Sequence, residues 1–447
     1  MHTEIMDIET SAKLFERAQR VLPSGYTRNM VIVDPHPLYV ADGKGCWITD
    51  VDGNKFIDWV NNFSSQIHGH DKKEIVDTIS EQIHRAQSTT MPSEWEIKLA
   101  EILVDRLPGV DKVRFMNSGT EANIIAVKAA RAYTGKSKIA KMEGAYHGQY
   151  DLLEASFQPM PDQWGDEAAP NAVAYQPGTP QSLLDETVIL PLNNIEAARA
   201  LLRAHADELA AVILDPWRLQ IGMVEPRVDF IEMLREETQA LGIILIFDEV
   251  WALRLGYHGA QGALGITPDL TTLGKIIGGG QPIGALGGKD EYMSVFALKD
   301  GGTLVKHSGT FTANPISMAA GCVAMSLMTP EAFAALDQQG ERLRAGLEKI
   351  RVDAGLPGRI VGSGSMSVLL MTDMPMNNYR QLLAAMGSGL LEQMTALQKH
   401  LLDEGVMTLR GGLVGSTPMT NDDIDFTLDA YGRAIIQLKN SVLTSAA

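Results

Sequence analysis

The stretch Pro268-Asp269-Leu270-Thr271-Thr272-Leu273-Gly274-Lys275-Ile276-Ile277-Gly278-Gly279-Gly280 decides how the chain is read. Its first half reads as a short buried strand, and Lys275 ends it. Desolvation disfavours the charged form of such an amine and lowers its pKa. A lysine in that condition is the nucleophile needed to form a Schiff base. On this stretch alone, a lysine that snorkels from a strand end to solvent is the simpler reading. The surroundings reverse that preference.

Two earlier apolar runs share its design. Ala210-Ala211-Val212-Ile213-Leu214 ends in Asp215-Pro216, and Ile243-Ile244-Leu245-Ile246-Phe247 ends in Asp248-Glu249-Val250. A helix is predicted between them, near 228–241. Continuous apolar runs alternating with helices imply a parallel sheet covered on both faces. In such sheets ligands bind beyond the carboxyl ends of the strands. Asp215, Asp248 and Lys275 are therefore expected at one sheet edge.

Upstream, a strand at Val113–Met116 leads into Asn117-Ser118-Gly119-Thr120 and a helix through about Tyr133. Unpaired helix amides, the helix dipole, a glycine allowing close approach and two hydroxyls suit an anion. An ordinary N-cap with Glu121 in the first turn reads the same way. A strand at Ile139–Met142 precedes Gly144-Ala145-Tyr146-His147-Gly148, where an aromatic at the strand mouth either stacks on a planar ligand or simply packs in a loop.

The remaining segments read as follows. An amphipathic helix is expected over 8–22 and a small antiparallel meander over 38–60. Residues 71–107 read as largely helical. His68-Gly69-His70 lacks a third ligand at helical spacing, which argues against a metal. Residues 155–187 are proline-rich and aperiodic, and are expected as a loop near the site mouth. The glycine-rich stretch 278–288 has no GxxxxGK[ST] and no strand-GxGxxG-helix unit, so P-loop and dinucleotide readings fall away. After Ser308-Gly309-Thr310 a helix is expected at 315–328. Further helices are predicted near 331–353 and 381–405, with short strands at 367–370 and 405–408. The predicted organisation is an N-terminal segment (1–60), a large domain (61–330) and a small α+β domain (331–447).

Composition narrows the classes. At 447 residues two or more domains are expected, and a net charge of −17 argues against a nucleic-acid partner. No apolar run reaches the roughly 18 residues of a membrane span, and Met1–Ile5 does not resemble a signal peptide. Cys46 and Cys322 read as free thiols of a reducing cytoplasm.

A Schiff-base lysine, an aspartate for a pyridinium nitrogen, a stacking aromatic and a helix N-terminus for phosphate are together what pyridoxal phosphate needs. At this point the chain resembles the class III, fold-type I aminotransferases over nearly its full length. The motifs are Asn117-Ser118-Gly119-Thr120-Glu121-Ala122-Asn123, Tyr146-His147-Gly148, Phe247-Asp248-Glu249-Val250, Thr271-Thr272-Leu273-Gly274-Lys275 and Ser308-Gly309-Thr310-Phe311. The resemblance implies an α/β fold with a large, mostly parallel-sheet domain and a smaller α+β domain. It implies pyridoxal 5′-phosphate held by Lys275 and Asp248, with Ser118, Gly119 and Thr120 at the phosphate. Tyr146 and Val250 would cover the two ring faces, with His147 and Asp215 also at the cofactor. Thr310 would reach the phosphate of the partner subunit, implying a homodimer.

Within the class, the chain resembles most the β-amino-acid aminotransferases and the glutamate-1-semialdehyde aminomutases. Pro23-Ser24-Gly25-Tyr26-Thr27-Arg28 and Leu409-Arg410-Gly411-Gly412 resemble segments of the former whose arginines bind substrate carboxylates. The implied reaction moves an amino group from a β-amino acid to a keto acid such as 2-oxoglutarate or pyruvate. An aminomutase, and an amine transaminase for donors lacking a carboxylate, remain the alternatives. Asp215 stands where family members usually carry Glu. Trp217, expected to narrow the substrate pocket, and Arg218 are further departures.

Overall fold

Seven strands form the central sheet of the computed structural model, which describes residues 6–29, 33–217, 224–299 and 301–445. They are β1 (Lys112–Met116), β2 (Lys138–Met142), β3 (Thr187–Leu190), β4 (Leu209–Leu214), β5 (Ile244–Asp248), β6 (Leu270–Gly274) and β7 (Gly284–Gly288). Their order is β1-β7-β6-β5-β4-β2-β3. From β6 through β3 every pairing is parallel, whereas β7 runs antiparallel to both its neighbours, β6 and β1. Six strands therefore end at the same edge.

The apolar runs follow from burial on both faces. Every residue of β4, β5 and β6 is buried. Alternate side chains point to opposite sides of a strand. Val212, Leu214, Leu245 and Phe247 meet Phe230 and Leu234 of the helix Val228–Leu241. Ala211, Ile213, Ile244 and Ile246 meet Ala122, Ala126 and Ala129 of the helix Gly119–Thr134 on the other face. That helix is the one whose N-terminus carries the Ser-Gly-Thr stretch, so core packing fixes where its amides point.

Strand β7 departs from expectation, because its glycines have low strand propensity. Close neighbours demand them. A Cβ on Gly284 would lie 2.0 Å from the Ser118 carbonyl oxygen, and one on Gly287 would lie 2.8 Å from Val110. Only glycine allows such approach.

The expected meander is present as Val40–Lys44, Trp47–Asp50 and Lys55–Asp58, and Val406–Met407 extends it in parallel. A second small sheet joins Arg359–Val361, Met366–Leu370 and Gly412–Val414. Two expected helices need correction. The first ends at Gln19, leaving Val21 79% exposed, because the chain turns into Pro23. The one at 381–405 is split into Tyr379–Ala385 and Leu391–Asp403 by a π-turn at Met386–Leu390, where Gly389 takes φ +98°. Residues 155–180 are irregular but satisfied, Ser156 Oγ donating to the Asn171 carbonyl at 2.7 Å and accepting from the Val173 amide at 2.9 Å, whereas the end of the expected loop forms a short helix, Gln181–Asp185, that leads into β3. No single helix among the described residues is long and apolar enough to cross a membrane.

Overpacking a tight core position costs about 1–3 kcal/mol. Gly284→Ala should therefore lower the thermal unfolding midpoint and, by displacing Ser118, weaken cofactor binding. Calorimetry and cofactor titration check both; a wild-type midpoint would show that the β7–β1 contact has slack.

Candidate active site

Asp248, the last residue of β5, anchors the site. It is 5% exposed and its carboxylate is held by three donors. Oδ2 accepts from Asn123 Nδ2 at 2.9 Å and from His147 Nδ1 at 2.8 Å; Oδ1 accepts from the Val250 amide at 3.1 Å. Burial alone pushes the carboxyl up, but His147, Asn123 and the Val250 amide outweigh it and hold it below the ordinary range. A carboxylate offers about four lone-pair sites, so one remains for a further donor. Asn123 also donates to the His147 carbonyl at 3.0 Å, which locks the loop carrying Tyr146 to the same centre.

Lys275 follows β6 directly, with φ +50°. A non-glycine residue in this region is strained by roughly 1–3 kcal/mol, and such residues cluster at working sites. Gly274 before it is extended, and its α-carbon faces Val250. Burial pushes the Lys275 amine down; the Asp248 and Asp215 carboxylates oppose this, and the Arg254 guanidinium adds to it. Asp215, at the end of β4, is 9% exposed and accepts from the Trp217 amide at 3.0 Å.

At the end of β1, Ser118 caps its helix, Oγ accepting from the Glu121 amide at 3.1 Å. Its hydroxyl proton remains free to donate, and the Gly119 and Thr120 amides are first-turn donors. Val250 fills the space over Gly119, where a Cβ would meet it at 2.9 Å. Tyr146 is 52% exposed and leans on Phe157, which meets Tyr175 in turn.

The match to the aminotransferase class-III family model runs over residues 30–428. Glutamate-1-semialdehyde 2,1-aminomutase 2 of Halalkalibacterium halodurans is 38% identical over 96% of the chain and 99% of its own length. An ω-transaminase from Sphaerobacter thermophilus superposes with a TM-score of 0.92 at 43% identity, covering 96% and 97% of the two chains. A β-phenylalanine aminotransferase from Variovorax paradoxus superposes at 0.84 with 34% identity, covering 95% and 93%. The chain belongs to the class-III aminotransferases.

Class-III aminotransferases use pyridoxal 5′-phosphate, and the residues on this edge fit that group. The helix N-terminus with two hydroxyls suits a phosphate, the open lone-pair site of Asp248 suits a pyridinium N–H, and Lys275 supplies an amine. Val250 and the half-exposed Tyr146 offer two apolar surfaces.

Other sequence-predicted residues of this aminotransferase fall in different places. His147 is 1% exposed and stands behind Asp248, so it acts through that carboxylate. Trp217 is 3% exposed; it meets Trp251 edge-on at 5.4 Å, and its Nε1 donates to Ser363 Oγ at 2.5 Å. Arg28 is exposed and donates to Asn62 Oδ1 at 2.9 Å. Arg410 sits in a tight turn at φ +51°, its amide donating to Gln398 Oε1 at 2.7 Å. Thr310 is exposed on this chain. Arg218 lies outside the described residues.

Sequence reasoning missed three residues here. Arg254 is 2% exposed, and its guanidinium donates to the Ser64 carbonyl at 3.2 Å, Ser365 Oγ at 3.0 Å and the Gly415 carbonyl at 2.6 Å. Burial pushes it down to about 9. Ser64 belongs to a turn in which Asn61, Asn62, Phe63 and Ser64 all have positive φ, and Asn61 Nδ2 donates to the Val414 carbonyl at 2.6 Å. Trp251 lies beside Lys275, its ring centre 5.7 Å from Nζ. Lys141, fully buried in β2, donates to the Ala145 and Ala155 carbonyls at 2.9 and 2.6 Å, tying down both sides of the Tyr146 loop.

Burial pushes the Lys141 amine down to about 7. Above that pH the folded chain loses this proton while the unfolded chain keeps it, so stability rises with pH up to the ordinary lysine range, about 10. Lys141→Met should flatten that rise and loosen the Tyr146 loop. Unfolding midpoints of both proteins across this range check it; identical slopes would mean that Lys141 titrates normally.

Proposed function

We propose that this aminotransferase takes its amino group from a β-amino acid and gives it to an α-keto acid such as 2-oxoglutarate or pyruvate. The observation that carries this reading is a pair of guanidinium groups, Arg28 and Arg410, with no carboxylate partner among the described residues. A guanidinium is the best neutral-pH partner for a carboxylate, binding it through two parallel hydrogen bonds. Arg410 is held ready: its strained turn is clamped by Gln398, by Thr408 Oγ1 on the Gly411 amide, and by the Tyr431 hydroxyl on the Gly411 carbonyl. The likeness to a β-phenylalanine aminotransferase supports the same reading.

In this reading Ser118, Gly119 and Thr120 hold the cofactor phosphate, and Tyr146 and Val250 pack on the two ring faces. When bound, pyridoxal phosphate supplies an aldehyde for the amine and a ring that accepts the electron pair left when the substrate C–H bond breaks. Asp248 keeps a proton on the ring nitrogen. Lys275 holds the resting cofactor, then carries the proton from the substrate carbon. Exposed Leu298, Leu304 and Phe311 (61–78%), in the same stretch of chain as Thr310, support a homodimer in which Thr310 reaches the phosphate of the partner subunit. The buried thiols Cys46 and Cys322 accord with a cytoplasmic enzyme. A second reading, an aminomutase needing no separate acceptor, is favoured by the name of the 38%-identical relative.

The half-reaction separates them. Holoenzyme treated with 3-amino-3-phenylpropionate and no acceptor should lose its visible absorption band and regain it with 2-oxoglutarate or pyruvate. A band that responds only to 1-phenylethylamine would remove Arg28 from its role. Silence to both would put the aminomutase first.

Lys275→Ala should abolish turnover, and Asp248→Asn should lower kcat by about 100-fold or more while circular dichroism stays unchanged. Steady-state kinetics check both, and surviving activity in the Lys275 variant would overturn the mechanism.

A further inference from the structure

We propose that Trp251, backed by Trp217, is the platform that receives an aryl or bulky apolar substituent of the amino donor. This deepens the reading above and rests on the donor amine reacting at Lys275. Lys275 Nζ stands 5.7 Å from the centre of the Trp251 ring. The amine exchanged at this position carries its carbon, and that carbon's substituent, one or two bonds away. Carbon surfaces meet at about 3.5–4 Å, so the gap accommodates a substituent lying against the indole.

Trp251 differs from its neighbours in a telling way. Val250 is committed to Gly119 and Gly274, and Ala252 is buried in the core. Trp251 is only partly buried and packs with Trp217, Ala252, Ala260 and Met366. Its indole N–H has no acceptor among the described residues, and among those residues the ring is held by its packing against this cluster. That makes Trp217 the positioning residue. It meets Trp251 edge-on at 66°, and it is itself held at two points, Nε1 on Ser363 Oγ and its amide on Asp215 Oδ1. A ring supported in this way cannot retreat when something presses on it. Its apolar face favours aromatic and branched groups and disfavours carboxylates, which would lose hydration without gaining a partner.

The test compares 3-amino-3-phenylpropionate with 3-aminobutanoate as donors to the holoenzyme. Trp251→Ala should lower the phenyl-to-methyl ratio of kcat/KM by about tenfold or more, mainly through KM, and Trp251→Phe should keep it within about threefold. Trp217→Phe should shift the ratio in the same direction by a smaller factor, which a merely structural loss, lowering both donors alike, would not do. Calorimetric binding of 3-phenylpropanoate against butanoate gives the same comparison without turnover, and Trp251→Leu replaces the alanine variant if that does not fold. An unchanged ratio, or a faster phenyl donor in Trp251→Ala, would overturn the proposal. If the wild type ignores both β-amino acids but converts 1-phenylethylamine, the carboxylate reading fails by itself. The ratio is then taken with 1-phenylethylamine against 2-aminobutane, and its change or constancy decides on Trp251 independently.

Discussion

A carboxylate kept ionised inside the protein is the constraint on which the site depends. Removing Asp248 from water would ordinarily neutralise it. Three donors prevent this, and each comes from a different element: Asn123 from the helix after β1, His147 from the loop after β2, and Val250 from the turn after β5 itself. The network therefore does two things at once. It fixes the charge, and it aligns the three segments that carry Ser118-Gly119-Thr120, Tyr146 and Val250.

Charge balance extends outward from there. Glu249, next in sequence, is fully buried and pushed up to about 7, yet it accepts from the Ala260 and Gln261 amides and from Gln261 Nε2. Arg254, one turn on, places a buried positive charge among neutral acceptors. Among the described residues no carboxylate pairs with it; burying such an ion is expensive, and hydrogen bonds to carbonyls offset only part of that. Its field falls on Lys275, where it favours the neutral, nucleophilic amine.

How much of this was legible in the sequence depended on whether local pattern or distant contact set the outcome. The runs ending at Asp215, Asp248 and Lys275 are legible because a strand buried on both faces must be continuously apolar. The Ser-Gly-Thr turn is legible because helix starts have chemical signatures. Strand β7 was not, because its glycines answer to Ser118 and Val110 rather than to strand propensity. Arg254 gave no signal either: its acceptors lie 190, 111 and 161 residues away. Trp217 stands out in the sequence as a residue that would narrow the substrate pocket, but its anchor was not legible, because Ser363 is 146 residues distant.

The left-handed turn at 61–64 bears on how readily this scaffold can change its substrate range. Asparagine tolerates that backbone region; phenylalanine and serine do so only under duress. The turn persists because Asp58, Arg254 and the Val414 carbonyl hold it from three directions. Arg28 hangs from its tip through Asn62. Reshaping this turn would move Arg28 and disturb the seam where the large sheet meets the small one. The indole wall is tied to the same seam, because Trp217 Nε1 donates to Ser363 Oγ and both rings share a cluster with Met366 and Val414 of the small sheet, so a change at either place is felt across it.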